Sequence, residues 1–272
     1  MQERQFDMDL RGSRLNVLEW QPAASSTPPL ILLHDALGSV AQWRQFPPAL
    51  AARTGRRVIA YDRAGHGHSA PLAKPRGLDY LEHEAWNVLP GLLQALGISA
   101  PVLIGHSDGG SIALLYAARY PAAAVVAEAP HVFVEDITLD GIRQAVEERE
   151  VLIQKLEKYH GSKAAALFDA WADTWLAPDF RNWDIRPLLP AIACPVLAIQ
   201  GLADAYGSAA QALDIAAALG NTAQPWLLHA AGHQPHREMQ TTLIEGIARF
   251  LGVPSSPNHN IKFEKDETIK LC

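Results

Sequence analysis

Short, mostly apolar runs recur along this chain: Leu30 to Leu33, Arg57 to Tyr61, Pro101 to Ile104, Ala123 to Ala127, Pro195 to Gln200 and Pro225 to Leu228. Runs of this kind, bounded by polar or turn residues, are the pattern of strands buried on both faces. Leu15 to Trp20 alternates apolar with polar residues instead and predicts an outer strand, followed by a Pro/Ser/Thr loop from Gln21 to Pro29. Helical spacing fills the intervals. Proline suits a helix start at Pro47-Pro48. Leu81, Ala85, Val88, Leu92 and Leu96 share one face of a helix from Leu78 to Leu96, with Gly97 where a terminating glycine belongs. Further helices are predicted over Ser111–Tyr120, Gln211–Leu219 and Thr241–Leu251. Strands alternating with helices predict an α/β fold: a doubly wound, mostly parallel sheet with reactive groups at the strands' carboxyl ends.

One stretch breaks the alternation. Val132 to about Pro190 carries helical signals only: Ile142 to Tyr159 with Val146, Ile153 and Leu156 on one face, then Ala164 to Trp175, then a short segment near Leu188. Trp171, Trp175 and Trp183 concentrate aromatic mass there. A helical insertion between two sheet strands predicts a lid that shapes the pocket and excludes water. The expected organisation is a core over 1–131 and 191–253, a helical cap over 132–190, and a poorly ordered tail over 254–272, where Pro254-Ser255-Ser256-Pro257 gives way to mixed charges.

Composition narrows the function class. With 272 residues, 49% of them hydrophobic, the chain can bury a large core. A net charge of −6 with no basic stripe argues against nucleic acid and anionic membranes as partners. Two cysteines, Cys194 and Cys272, make no disulfide framework, and eleven histidines scattered singly show no metal-ligand spacing. The polar N-terminus lacks an apolar leader core, and no stretch approaches the roughly twenty apolar residues of a membrane span. The expectation is a cytoplasmic protein with a small-molecule substrate, without metal or cofactor.

The chemistry starts at Gly105-His106-Ser107-Asp108-Gly109-Gly110, between the Pro101–Ile104 strand and the helix that follows. Gly-x-Ser-x-Gly between a strand and a helix is the nucleophile-elbow pattern. A sharp turn lifts the hydroxyl above the sheet edge, and flanking glycines let neighbouring backbone pass. A serine needs a base to take its proton, and the base needs an orienting acid. Asp204, in the Gly201–Gly207 loop after a strand, is the candidate acid. Glu128, at the end of the preceding sheet strand, is its rival, while Asp214 sits inside a helix. His233, in the loop after the last strand, is the candidate base; His236 close behind begins a helix and His229 reads as a strand residue. Backbone N–H groups of Asp108 and of Ala36, or Leu37 in its place, are the candidate oxyanion donors.

These motifs resemble the α/β-hydrolases of the esterase, lactonase and carbon–carbon hydrolase group, at four separated places: His34 to Ser39, Asp62 to Ser69, Gly105 to Gly110, and the Asp204 and His233 loops. Gly-His-Ser-Asp-Gly-Gly, with Gly141-Ile142-Arg143 opening the insertion and Leu188-Leu189-Pro190 closing it, is similar to the biphenyl-hydrolase-like (valacyclovir hydrolase-like) branch. Asp35 departs from the resemblance, standing where many members have glycine. The resemblance implies a serine hydrolase of small carboxylic esters or lactones acting through an acyl-enzyme on Ser107. Carbon–carbon hydrolysis, acyl transfer and cofactor-free peroxidation use the same triad, and a non-enzymatic receptor is the reading from another class. In the named branch the Asp108 position is associated with amino-acid ester recognition; the plain alternative is that Asp108 favours the helix start. Asp108, His131, Trp171 and Trp175 are the candidate substrate-binding residues. Asp62 to Gly67 is glycine-rich but lacks a phosphate-loop ending, and reads as a structural loop beside the site.

Overall fold

The computed structural model describes residues 1–22, 27–72 and 74–254, so the expected tail lies outside the described residues from residue 255 onward. Eight strands form one sheet: β1 (Gln2–Leu10), β2 (Ser13–Gln21), β3 (Leu30–Leu33), β4 (Val58–Tyr61), β5 (Val102–His106), β6 (Ala124–Glu128), β7 (Val196–Gly201) and β8 (Ala223–Leu228). Their order is β1-β2-β4-β3-β5-β6-β7-β8, with β1/β2 and β2/β4 antiparallel and every other pair parallel.

The mostly apolar runs have a direct explanation in the packing. Along β3, Ile31 and Leu33 join one core while Leu30 and Leu32 join the other, and β4 and β5 divide the same way. Helix α1 (Phe46–Thr54) and α10 (Gln240–Phe250) cover one face. The other face is covered by α2 (Tyr80–His83), α3 (Leu89–Ala95), α4 (Asp108–Ala117) and α8 (Ala210–Leu219). The predicted helix over 78–96 is α2 and α3 joined through a π-helical segment, Glu84–Val88, and Gly97 ends it at φ +69°. Between β6 and β7 stand α5 (Asp136–Glu147), α6 (Arg149–His160) and α7 (Ala164–Leu176), with short 3₁₀ turns. A four-residue helix, α9 (Pro235–Glu238), precedes α10.

Three expectations are corrected. Leu15–Trp20 is not an edge: β1 pairs outside it along its whole length, held by Phe6, Met8 and Leu10 on its single packed face. The predicted helix over 142–159 is two helices that meet at Glu148, whose φ and ψ of −95° and 13° leave the helical range. Helix α4 starts at Asp108, three residues before the predicted start, so Ser107 itself is the capping residue. No helix among the described residues is long and apolar enough to cross a membrane.

Candidate active site

The carboxyl ends of the parallel strands converge on Ser107. It sits at the end of β5 with φ 54° and ψ −120°, a backbone state that costs a non-glycine residue about 1–3 kcal/mol. The elbow is enforced by contact: a Cβ on Gly105 would overlap the Gly109 carbonyl, and one on Gly109 the Leu33 carbonyl. Ser107 N–H donates to the Glu128 carbonyl on the neighbouring strand at 2.8 Å, tying the strained turn to the sheet.

His233, in the loop after β8, places Nε2 3.1 Å from Ser107 Oγ and Nδ1 2.8 Å from Asp204 Oδ2. Asp204 follows β7 and is buried. Gln200 Nε2 also donates to its Oδ2 at 2.8 Å, and Tyr206 N–H donates to Oδ1 at 2.7 Å. Burial pushes this carboxyl up, but His233 and the two donors outweigh it and hold Asp204 below the usual carboxylate range. Glu128, the rival acid, is committed elsewhere: its Oε1 accepts from His236 Nδ1 at 2.9 Å and from His236 N–H at 2.7 Å. Asp214 pairs at the surface with Arg186, and His229 lies in an exposed turn after β8 rather than within the strand.

Ser107 opens on a cavity of about 190 Å³ whose lining includes Ala36, Asp108, His131, Trp171, Trp175 and His233. All four candidate substrate-binding residues therefore face it. The N–H groups of Ala36 and Asp108 have no partner among the described residues, and Asp108 opens α4, where the first N–H groups are free by construction. The Asp108 carboxylate is already engaged. Tyr80 Oη donates to its Oδ2 at 2.8 Å, Trp175 Nε1 donates to Tyr80 Oη at 2.9 Å, and Arg63 Nη1 is 3.8 Å away. Burial raises the Asp108 carboxyl even so.

Several histidines that look scattered in sequence gather around the site: ring centroids of His34 and His66 lie 4.7 Å apart, those of His66 and His160 6.0 Å, and those of His106 and His233 5.0 Å. His34 Nδ1 donates to the Asp35 carbonyl and His66 Nε2 to the Ala36 carbonyl, each with a pKa pushed far down by burial. His160, from α6, bridges the Gly67 N–H and the Leu37 carbonyl. Burial drives His131 down to about 3, so it is a neutral wall of the cavity. His106 is the exception: burial opposes its charge, yet Asp35, 3.8 Å away, and Glu128 raise it to about 9. Asp35, the odd residue of the loop after β3 (His34 to Ser39, the first loop of the site), is thereby the partner of a buried imidazolium, which holds its carboxyl below the usual range against burial.

Four residues outside the sequence candidates also shape the site: Arg63, Tyr80, Gln200 and Tyr206. Gln200 carried a signal, a polar residue ending the apolar Val196–Ile199 run. Tyr80 and Arg63 carried none, because their partners lie 28 and 29 positions away along the chain.

A profile of the alpha/beta hydrolase fold matches residues 28–186, more than half of the chain. The chain belongs to the α/β-hydrolase family. Among its relatives in that family, a human protein named serine hydrolase BPHL is 30% identical over 199 residues, covering 69% of this chain and 67% of that protein. A mouse protein named sn-1-specific diacylglycerol lipase ABHD11 is 36% identical over 97 residues; that match spans 36% of this chain and 30% of the relative's own length. The solved enol-lactonase from Burkholderia xenovorans LB400 superposes with a TM-score of 0.72 at 21% identity, covering 90% of this chain and 99% of that one, a likeness of fold. The resemblance to the biphenyl-hydrolase-like branch and the doubly wound α/β fold both stand on these matches.

Proposed function

We propose that this α/β-hydrolase is a serine hydrolase of small carboxylic esters or lactones. The observation that carries the reading is the hydrogen-bonded series Ser107 Oγ, His233 Nε2, His233 Nδ1, Asp204 Oδ2, ending in a cavity beside two free N–H groups. His233 takes the Ser107 proton as Oγ attacks the carbonyl carbon, and the carbonyl oxygen becomes an oxyanion held by the N–H groups of Ala36 and Asp108. Collapse expels the alcohol, protonated by the imidazolium, and leaves the acyl group on Ser107. Water, deprotonated by His233, then releases the acid and restores the serine. Asp204 stays ionised throughout and stabilises the imidazolium. No step calls for a metal or cofactor.

Helices α5 to α7 act as the lid in this reading, since Ile142, Leu156, Trp171 and Trp175 bring apolar surface over the cavity. The lining also includes two carboxylates, Asp35 and Asp108, and no lysine or arginine. Each carboxylate already faces a cation, Asp35 the His106 side chain and Asp108 the Arg63 guanidinium, so it is the apolar lid surface that favours neutral acyl groups over carboxylate-bearing ones. An amino-acid ester would bring its ammonium to Asp108 in competition with Arg63. A panel of p-nitrophenyl esters and lactones, scored by kcat/KM, tests the reading. Turnover of short neutral esters above their anionic analogues is expected; folded protein inert to the whole panel contradicts it.

A further inference from the structure

We infer that Arg63 is a positioning residue for the oxyanion hole, orienting and polarising the peptide whose N–H belongs to Ala36 while holding the start of the helix that carries the second donor. The inference rests on the hydrolase reading of Ser107. Arg63 belongs to the Asp62–Ser69 segment, the glycine-rich motif that the proposed reaction leaves without a task. Its side chain is 2% exposed, beneath the first loop. Nη2 donates to the Asp35 carbonyl at 2.6 Å, and its own N–H donates to His34 Nε2 at 3.0 Å. Nη1 lies 3.8 Å from Asp108 Oδ2, and Nε is buried with no partner.

The peptide plane makes the contact consequential. The Asp35 carbonyl and the Ala36 N–H belong to one planar trans amide, so they point in opposite directions. That carbonyl also accepts from His34 Nδ1 at 2.8 Å and from the Gly38 N–H at 3.2 Å; Arg63 is the cationic and shortest of these donors, and together they fix where the Ala36 N–H points. A cationic donor also draws electron density through the amide, which makes the far N–H a stronger donor to a developing oxyanion. The same guanidinium faces the carboxylate at the first residue of α4, whose N–H is the other candidate donor. One buried cation thus touches the supports of both donors. Burying a guanidinium is costly, and such an ion pair is weak evidence for stability. An unpartnered Nε fits a side chain placed for the geometry of its two terminal nitrogens rather than for full satisfaction.

The test compares wild type, Arg63→Lys and Arg63→Met with p-nitrophenyl butyrate and an arylboronic acid, which forms a tetrahedral adduct on the serine. The oxyanion exists only in the transition state, so kcat carries the effect and KM does not. Arg63→Met is expected to lower kcat by about 10- to 100-fold, in the range of outer-shell and single oxyanion-donor losses. KM stays within about twofold, and boronate affinity weakens by the same factor as kcat. Arg63→Lys keeps the cation but cannot span both partners, and should lose about 3- to 10-fold. It retains a charge opposite Asp108, so it provides a folded variant if the methionine protein unfolds; thermal midpoints check this. Unchanged kcat in folded Arg63→Lys, a loss confined to KM, or a boronate affinity that does not follow kcat overturns the inference alone. A wild type with no turnover and no fluorophosphonate label overturns the hydrolase reading and this inference with it.

Discussion

Replacing Asp204 with asparagine removes one charge and almost no volume, so it isolates what the carboxylate does. Among the described residues the Asp204 carboxylate has three partners, all donors: His233 Nδ1 and Gln200 Nε2 at Oδ2, and Tyr206 N–H at Oδ1. A carboxamide must turn its NH₂ toward one side. Turned toward Oδ2's partners, it forces His233 to the tautomer protonated on Nε2, which cannot accept the Ser107 proton. Turned toward Tyr206, it leaves a buried N–H unsatisfied, at about 1–3 kcal/mol, and still replaces a charge-assisted hydrogen bond to the imidazolium with a neutral one, a further loss of about 1–2 kcal/mol. The unsatisfied N–H is a cost in every state and biases the carboxamide toward the first arrangement, whose wrong tautomer raises the barrier by about 3–5 kcal/mol, or roughly 10²- to 10⁴-fold in kcat. Steady-state turnover of p-nitrophenyl acetate by Asp204→Asn, with circular dichroism and a thermal midpoint to confirm folding, reads it out. A folded variant within about fivefold of wild type would mean that the Asp204 charge does not set the His233 tautomer or stabilise its imidazolium.

Other consequences follow from the same geometry. Ser107→Gly relieves a strained backbone at the expense of a more flexible unfolded chain, so it should abolish turnover yet raise the thermal midpoint by about 2–4 °C over Ser107→Ala. Gly109→Ala puts a methyl into the Leu33 carbonyl and should lower stability by about 3 kcal/mol or more, seen as a lost or much reduced denaturation midpoint. His106 has a folded pKa near 9 against an ordinary 6.5, so its contribution to stability is complete below 6.5 and is lost as pH rises through 9. The thermal midpoint of His106→Gln should accordingly fall less than that of wild type across that window; parallel curves would contradict the assignment. Monosuccinate esters should react more slowly than butyrate esters of the same alcohol, because a second carboxylate would lose its water against Ile142, Leu156, Trp171 and Trp175; equal kcat/KM values would contradict an apolar acyl pocket.

The parallel strands and the site's order in the chain were legible because they depend on local pattern. Leu30–Leu33 reads as buried because both its faces are covered, and a serine between a strand and a helix announces the elbow. β1 was harder to see: its apolar residues face one side only, among charges that mask the alternation of Phe6, Met8 and Leu10. The break at Glu148 was invisible because an amphipathic face continues across it. The network beneath the site was illegible for a different reason. His34, His66, His106 and His160 come from separate strand ends and from α6, and each is meaningful only through a partner the fold brings near. Asp35 illustrates this most clearly: in sequence it is a departure from the glycine of its resemblance, and in space it is the counter-ion of His106.

The proposed reaction stands on Ser107 as the nucleophile and His233 as the base that activates it. Incubation with a fluorophosphonate followed by peptide mass spectrometry measures this directly. One label per chain is expected, on Ser107, suppressed in His233→Ala and absent in Ser107→Ala. Label on a different residue, or none on folded wild-type protein, would contradict it.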